Sequence, residues 1–144
     1  MAHWSDRYVG IPFRDGGRDF SGCDCAGLVL LVLREERGIV AADTDAAYGA
    51  DDFRGTAGHG RLAELVERGL REWRVVSGPP RPFDLVRYAV GGNPCHVGVC
   101  IGGGMFLHAV EGAARSHVLA LASPQWRRRF VEFRRHERLM EAPA

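Results

Sequence analysis

Six consecutive apolar residues, Leu28-Val29-Leu30-Leu31-Val32-Leu33, lie between Asp24 and Gly38, and no other segment constrains the fold as much. Such a run fits either a buried strand or the middle of a buried helix. The charged continuation Arg34-Glu35-Glu36-Arg37 up to Gly38 makes it too long for an ordinary strand and ends it as helices end. Asp24 is suited to cap the start. The segment therefore reads as a helix from Cys25 to about Arg37. Being apolar on all sides, it has to be covered on all sides and lies at the centre of the molecule. It is also far shorter than the ~20 residues a membrane span requires.

The rest of the chain supplies the cover. With 144 residues, one domain spanning 1–144 is expected, long enough to bury a core without disulfide staples. Trp4–Tyr8 and His59–Leu70 read as further helices, the latter with Leu62, Leu65, Val66 and Leu70 on one stripe. Beyond residue 72 the pattern changes to short apolar segments separated by Gly or Pro. These are Trp73–Ser77, Asp84–Val90, His96–Ile101, Met105–Val110, Ser116–Leu119 and Phe130–Arg135. Even spacing favours antiparallel hairpins. Helices followed by strands make an α+β pattern with a five- to six-stranded antiparallel sheet.

Three segments carry chemistry. In Gly22-Cys23-Asp24-Cys25-Ala26-Gly27, Cys25 falls in the first turn of the central helix, where unpaired N–H groups and the helix dipole favour a thiolate. Small neighbours leave room for a substrate backbone. A buried, inert thiol is the plain alternative. In Pro94-Cys95-His96-Val97-Gly98-Val99-Cys100, strand alternation puts His96 and Cys100 on one face, with Gly98 between them giving space for close packing beside the imidazole. In Met105-Phe106-Leu107-His108, a three-residue turn over Gly102–Gly104 pairs Ile101 with Met105. It also sets Gly98 against His108 and brings both histidines to one face; a two-residue turn puts His108 on the other.

Asp24-Cys25-Ala26-Gly27-Leu28-Val29, then His96-Val97-Gly98-Val99, then Phe106-Leu107-His108-Ala109 resembles the NlpC-type cysteine peptidase family of bacterial cell-wall endopeptidases. Gly10-Ile11-Pro12-Phe13 with Gly16-Gly17, and Pro82-Phe83-Asp84-Leu85-Val86, resemble the segments that family carries around its motifs. The resemblance implies a papain-like fold with the nucleophile at a helix start against the sheet, and no cofactor. It implies Cys25 as nucleophile, His96 as general base and His108 as the residue orienting it. Asp24 would help bind the free amine of a peptidoglycan stem peptide, with Asp15 and Gly98 also placed at the substrate. The bond implied is the γ-D-glutamyl link to the diamino acid. Two positions depart from the family pattern: Ala26 stands where Ser is usual, and Asp15 where Tyr is frequent. The compact form resembles members carried by phage tails and prophages, which implies tail proteins as partners.

Other classes fit less well. A net charge of +1 speaks against a nucleic-acid binder recognised by overall charge. A non-catalytic tail or assembly protein is the main alternative. A zinc site from Cys23, Cys25, Cys95 and His96 has tighter spacing than zinc modules use. The N-terminus shows no basic start followed by an apolar stretch, so synthesis in the cytoplasm without a signal peptide is expected. Near the C-terminus six arginines, at 127–129, 134, 135 and 138, face only Glu132 and Glu137. They fit either a basic docking patch or an edge strand guarded by charge.

Overall fold

The computed structural model describes residues 2–44 and 55–140. A 3-10 turn at Trp4–Tyr8 leads into a two-stranded ribbon of β1 (Arg18–Asp19) and β2 (Gly22–Cys23). Two helices follow, α1 (Cys25–Arg37) and α2 (Gly55–Gly69). The remaining strands are β3 (Trp73–Val76), β4 (Leu85–Val90), β5 (Asn93–Gly102), β6 (Met105–His108), β7 (His117–Ala120) and β8 (Phe130–His136). A short helix α3 (Pro124–Arg127) precedes β8, and α4 (Glu137–Met140) follows it.

The central helix forms as its sequence dictates. Asp24 caps it, its carboxylate accepting the Gly27 N–H at 2.8 Å, and Gly38 closes it in the left-handed conformation. Leu28, Leu31, Val32 and Leu33 are all inaccessible to solvent, in one core with Val66 and Leu70 of α2 and Leu85, Val97, Val99 and Leu107 of the sheet. Burying one such side chain contributes roughly 1.5–3 kcal/mol. The helix start is pinned from the other side. A methyl group on Gly27 would overlap the Gly17 carbonyl, so only glycine lets the preceding loop lie against the helix.

Strands β3 to β8 form one antiparallel sheet in the order β3-β8-β4-β5-β6-β7. This differs from a run of hairpins, since β8 returns to lie between β3 and β4. It is an interior strand, so its charges do not guard an edge. Arg135 makes a two-point contact with the buried Asp84 carboxylate at 2.7 Å for both bonds, and Arg134 pairs with Glu132 and Glu67. Of the C-terminal arginines, the 127–129 cluster is exposed.

The β5–β6 turn also departs from expectation. Gly103 and Gly104, with φ of 63° and 74°, make a two-residue turn that pairs Gly102, not Ile101, with Met105. A bulge at Ile101 then takes up one residue. From Cys100↔Phe106 and Val99↔Leu107 onward the register is the one that brings the two histidines together.

The second face of the sheet holds a smaller cluster of Val86, Tyr88, Cys100, Phe106 and Trp126 of α3. Among the described residues no helix is long and apolar enough to cross a membrane.

Candidate active site

Cys25 is the first residue of α1, and the backbone N–H groups of Val97 on β5 and of Ala26 lie near enough to its sulfur to favour the thiolate. This brings the helix start directly against the strand that carries His96. Residue 25 thus meets the neighbour of residue 96 across a separation no local pattern specifies.

His96 is buried, and its Nε2 lies 2.8 Å from Nδ1 of His108, which has no solvent exposure. Both rings sit on the sheet face away from α1. Gly98 permits this arrangement. A methyl group there would come within 3.0 Å of the Leu107 carbonyl oxygen and of the Phe106 ring, and within 3.2 Å of the His108 Cβ. Gly98 does not line the cavity described below; it lies beneath the second imidazole.

Asp24 has an architectural task besides. Its carboxylate also accepts the Gly16 N–H at 2.9 Å and an Arg18 N–H at 2.8 Å, fastening the β1–β2 ribbon to the helix start. The thiol of Cys23 donates to the Asp19 carbonyl at 3.1 Å. Among the described residues no group of three His, Cys, Asp or Glu is arranged to hold a metal, so the four ligands of the zinc alternative are not gathered.

A cavity of about 290 Å³ opens at Cys25. Cys25, Cys95, His96, Ala109 and Val110 line it, with Asp15, Asp24 and Glu111 as carboxylates; among the described residues no lining side chain is Lys or Arg.

The electrostatics differ from the expectation of a thiolate. Burial, reinforced by the Asp24 charge, pushes the Cys25 thiol up to about 12, against the lowering effect of the Val97 and Ala26 N–H groups. Burial likewise pushes His96 down to about 3, aided by repulsion from His108, Arg129 and His117. Both shifts favour the neutral thiol and the neutral imidazole in the ligand-free site. The helix-start argument counts only the dipole, and desolvation opposes it here.

The NlpC/P60 family matches residues 10–135 of this sequence. The chain belongs to the NlpC/P60 family. The curated relatives include the Escherichia coli K12 protein named murein DD-endopeptidase MepS/murein LD-carboxypeptidase, 28% identical over 135 residues. That match takes in 94% of this chain and 60% of the relative, so the chain spans less than two-thirds of that protein's length. Among solved structures, the NlpC/p60 domain of the peptidoglycan hydrolase SagA is similar with a TM-score of 0.54 and 22% identity, covering 90% of both chains. An NlpC/P60 protein from Bacillus cereus gives a TM-score of 0.60 at 19% identity, covering 90% of this chain and 36% of that one. These likenesses establish a papain-like NlpC/P60 fold.

Two residues of this NlpC/P60 site escaped the sequence. His117 stands opposite His108 in the β6–β7 ladder, its Nε2 3.1 Å from His108 Nε2. Trp126 of α3 lies 4.9 Å from the His96 ring and 5.0 Å from the His108 ring, measured between centroids. Eight residues separate β6 from β7, so no turn rule fixes that register, and Trp126 arrives on a four-residue helix with no periodicity to announce it.

Proposed function

We propose that this protein is a cysteine peptidase that hydrolyses peptide bonds in bacterial peptidoglycan stem peptides, with Cys25 as nucleophile, His96 as general base and His108 orienting the base. The observation that carries this is the meeting of Cys25 and His96 on the wall of one cavity, with the far nitrogen of His96 already occupied by His108. Membership of the NlpC/P60 family and the names of MepS and SagA support the substrate class.

The chemistry follows from the neutral pair. As a substrate carbonyl enters, His96 takes the thiol proton and the sulfur attacks, giving a tetrahedral oxyanion beside the backbone N–H of Cys25 at the start of α1. His96 then returns the proton to the leaving amine, and an acyl-enzyme forms on Cys25. Water activated by the same imidazole releases it. Desolvation keeps the charges dormant until substrate supplies partners for them.

The cleaved bond is the γ-D-glutamyl link to the diamino acid. Support comes from Asp15 and Glu111, carboxylates on the cavity wall that suit a free substrate amine, with Asp24 beside them held by Arg18. Asp15 occupies the place of the frequent Tyr, and Ala26 removes the usual hydroxyl, so the amine is met by charge. The name of MepS points instead to a D,D bond in that protein. A cross-linked dimer of stem tetrapeptides, with free or acetylated N-termini, separates the two by mass spectrometry. Cleavage after γ-D-glutamate that is lost on acetylation is the expected result; cleavage of a D,D bond would overturn the assignment. Action on the cell wall, with delivery there as part of a phage tail, is the accompanying proposal.

A further inference from the structure

His96, His108 and His117 form one continuous chain of imidazoles that ends on a backbone carbonyl. His96 Nε2 meets His108 Nδ1 at 2.8 Å, His108 Nε2 meets His117 Nε2 at 3.1 Å, and His117 Nδ1 lies 3.2 Å from the carbonyl oxygen of Arg115. A neutral imidazole has one donor and one acceptor nitrogen, so each link in such a chain fixes the next.

The carbonyl settles the direction. It can only accept, so His117 carries its proton on Nδ1 and offers a lone pair at Nε2. His108 must then donate from Nε2 and accept at Nδ1. His96 in turn donates from Nε2, which leaves its Nδ1 without a proton. With Nε2 engaged, Nδ1 is the one nitrogen of His96 available to the Cys25 thiol, and it is in the form that accepts a proton. The reversed polarity would set the His117 Nδ1 lone pair against the Arg115 carbonyl. It would also place an N–H on His96 where the thiol needs a base.

We propose that His117, anchored by the Arg115 carbonyl, is a positioning residue that sets the tautomer of the general base two rings away. The proposal rests on the assignment of Cys25 and His96 made above. It goes beyond that assignment because His108 alone, being able to donate or accept at Nδ1, leaves the His96 tautomer undetermined. The strand pairing supports it. His117 is held directly opposite His108 by the β6–β7 ladder, so the alignment is built into the sheet and does not depend on a mobile loop.

The test uses histidine labelled with 15N and long-range 15N–1H correlation spectra, which report the protonated nitrogen of each ring. In the wild type and in Cys25→Ala, His96 and His108 should be single Nε2–H tautomers and His117 an Nδ1–H tautomer. His117→Phe removes the acceptor, so His96 should become a mixture of tautomers. Its kcat on peptidoglycan fragments should fall about tenfold or more, with KM little changed. His117→Gln keeps a carbonyl oxygen opposite His108 and should restore both the single tautomer and most of the rate. An Nδ1–H tautomer at His96 in the wild type overturns the proposal. So does a folded His117→Phe protein with unchanged spectra. Because the spectra of Cys25→Ala need no turnover, failure of the peptidase reading would show separately, as a wild type with the expected tautomers and no hydrolysis.

Discussion

Gly98 and His108 face each other across β5 and β6 so closely that a side chain on the first would displace the second. The Leu107 carbonyl, the Phe106 ring and the His108 Cβ all lie within 3.2 Å of where a methyl group would stand. The consequence runs from backbone to chemistry, since His108 holds Nε2 of His96.

Gly98→Ala should therefore act on catalysis more than on folding. Overpacking of this kind costs about 1–3 kcal/mol, less than the stability of most domains. The shifted imidazole should lower kcat well beyond the loss of folded protein. Urea denaturation together with kcat on peptidoglycan fragments checks this. A variant that folds normally and turns over at the wild-type rate would show that the His96–His108 contact does not matter.

The neutral resting pair has a pH signature. The Cys25 thiol is raised, so it stays protonated through neutral pH and forms thiolate only as pH climbs toward about 12. His96 is lowered, so it holds no second proton until pH falls toward about 3. Alkylation of the free enzyme by iodoacetamide, mapped to Cys25 by peptide mass spectrometry, should rise steadily toward alkaline pH with no plateau between about pH 5 and 8. A plateau there would mean a resting thiolate–imidazolium pair of the kind other thiol enzymes use.

Asp84 anchors the interior of the sheet. It has no exposure, receives both bonds of Arg135 and accepts the Arg81 N–H at 2.8 Å. Removing one partner of such a pair strands the other charge at a cost of about 3–5 kcal/mol. Asp84→Ala should lose that much in urea denaturation. A loss under about 1 kcal/mol would place this pair with surface ion pairs instead.

Tyr88 offers the opposite case. Its hydroxyl is buried beside Cys100 and Phe106 without a hydrogen-bond partner among the described residues. A hydroxyl in that state costs stability, so Tyr88→Phe should raise it by about 1 kcal/mol and leave hydrolysis intact. Destabilisation by the substitution would reveal a partner for the hydroxyl.

How much of this was legible in the sequence depended on the range of the forces involved. The helix from Cys25 to Arg37 was legible to the residue, because its cap, apolar run and glycine stop are all local. The shared face of His96 and His108 was legible too, although by another route. The turn has two residues rather than three, and the Ile101 bulge restores the register. The placement of β8 between β3 and β4 was not, since the burial of Asp84 against Arg135 joins positions about fifty residues apart. The desolvation at Cys25 was hidden for the same reason. The dipole is visible in the sequence, but the burial that opposes it arises only when helix and strand meet at the sulfur.

The central claim, that Cys25 attacks peptidoglycan stem peptides with His96 as its base, is tested most directly on stem peptides freed from cell-wall sacculi by an amidase, so that their amino termini are open. Wild type, Cys25→Ala and His96→Ala are incubated with these peptides, and products and new amino termini are quantified by mass spectrometry. The wild type should release fragments bearing a free diamino-acid amine. Cys25→Ala should release none above background, and His96→Ala should be slower by about 10²–10⁴-fold. Release by folded Cys25→Ala at the wild-type rate, or none by the wild type, would contradict the account.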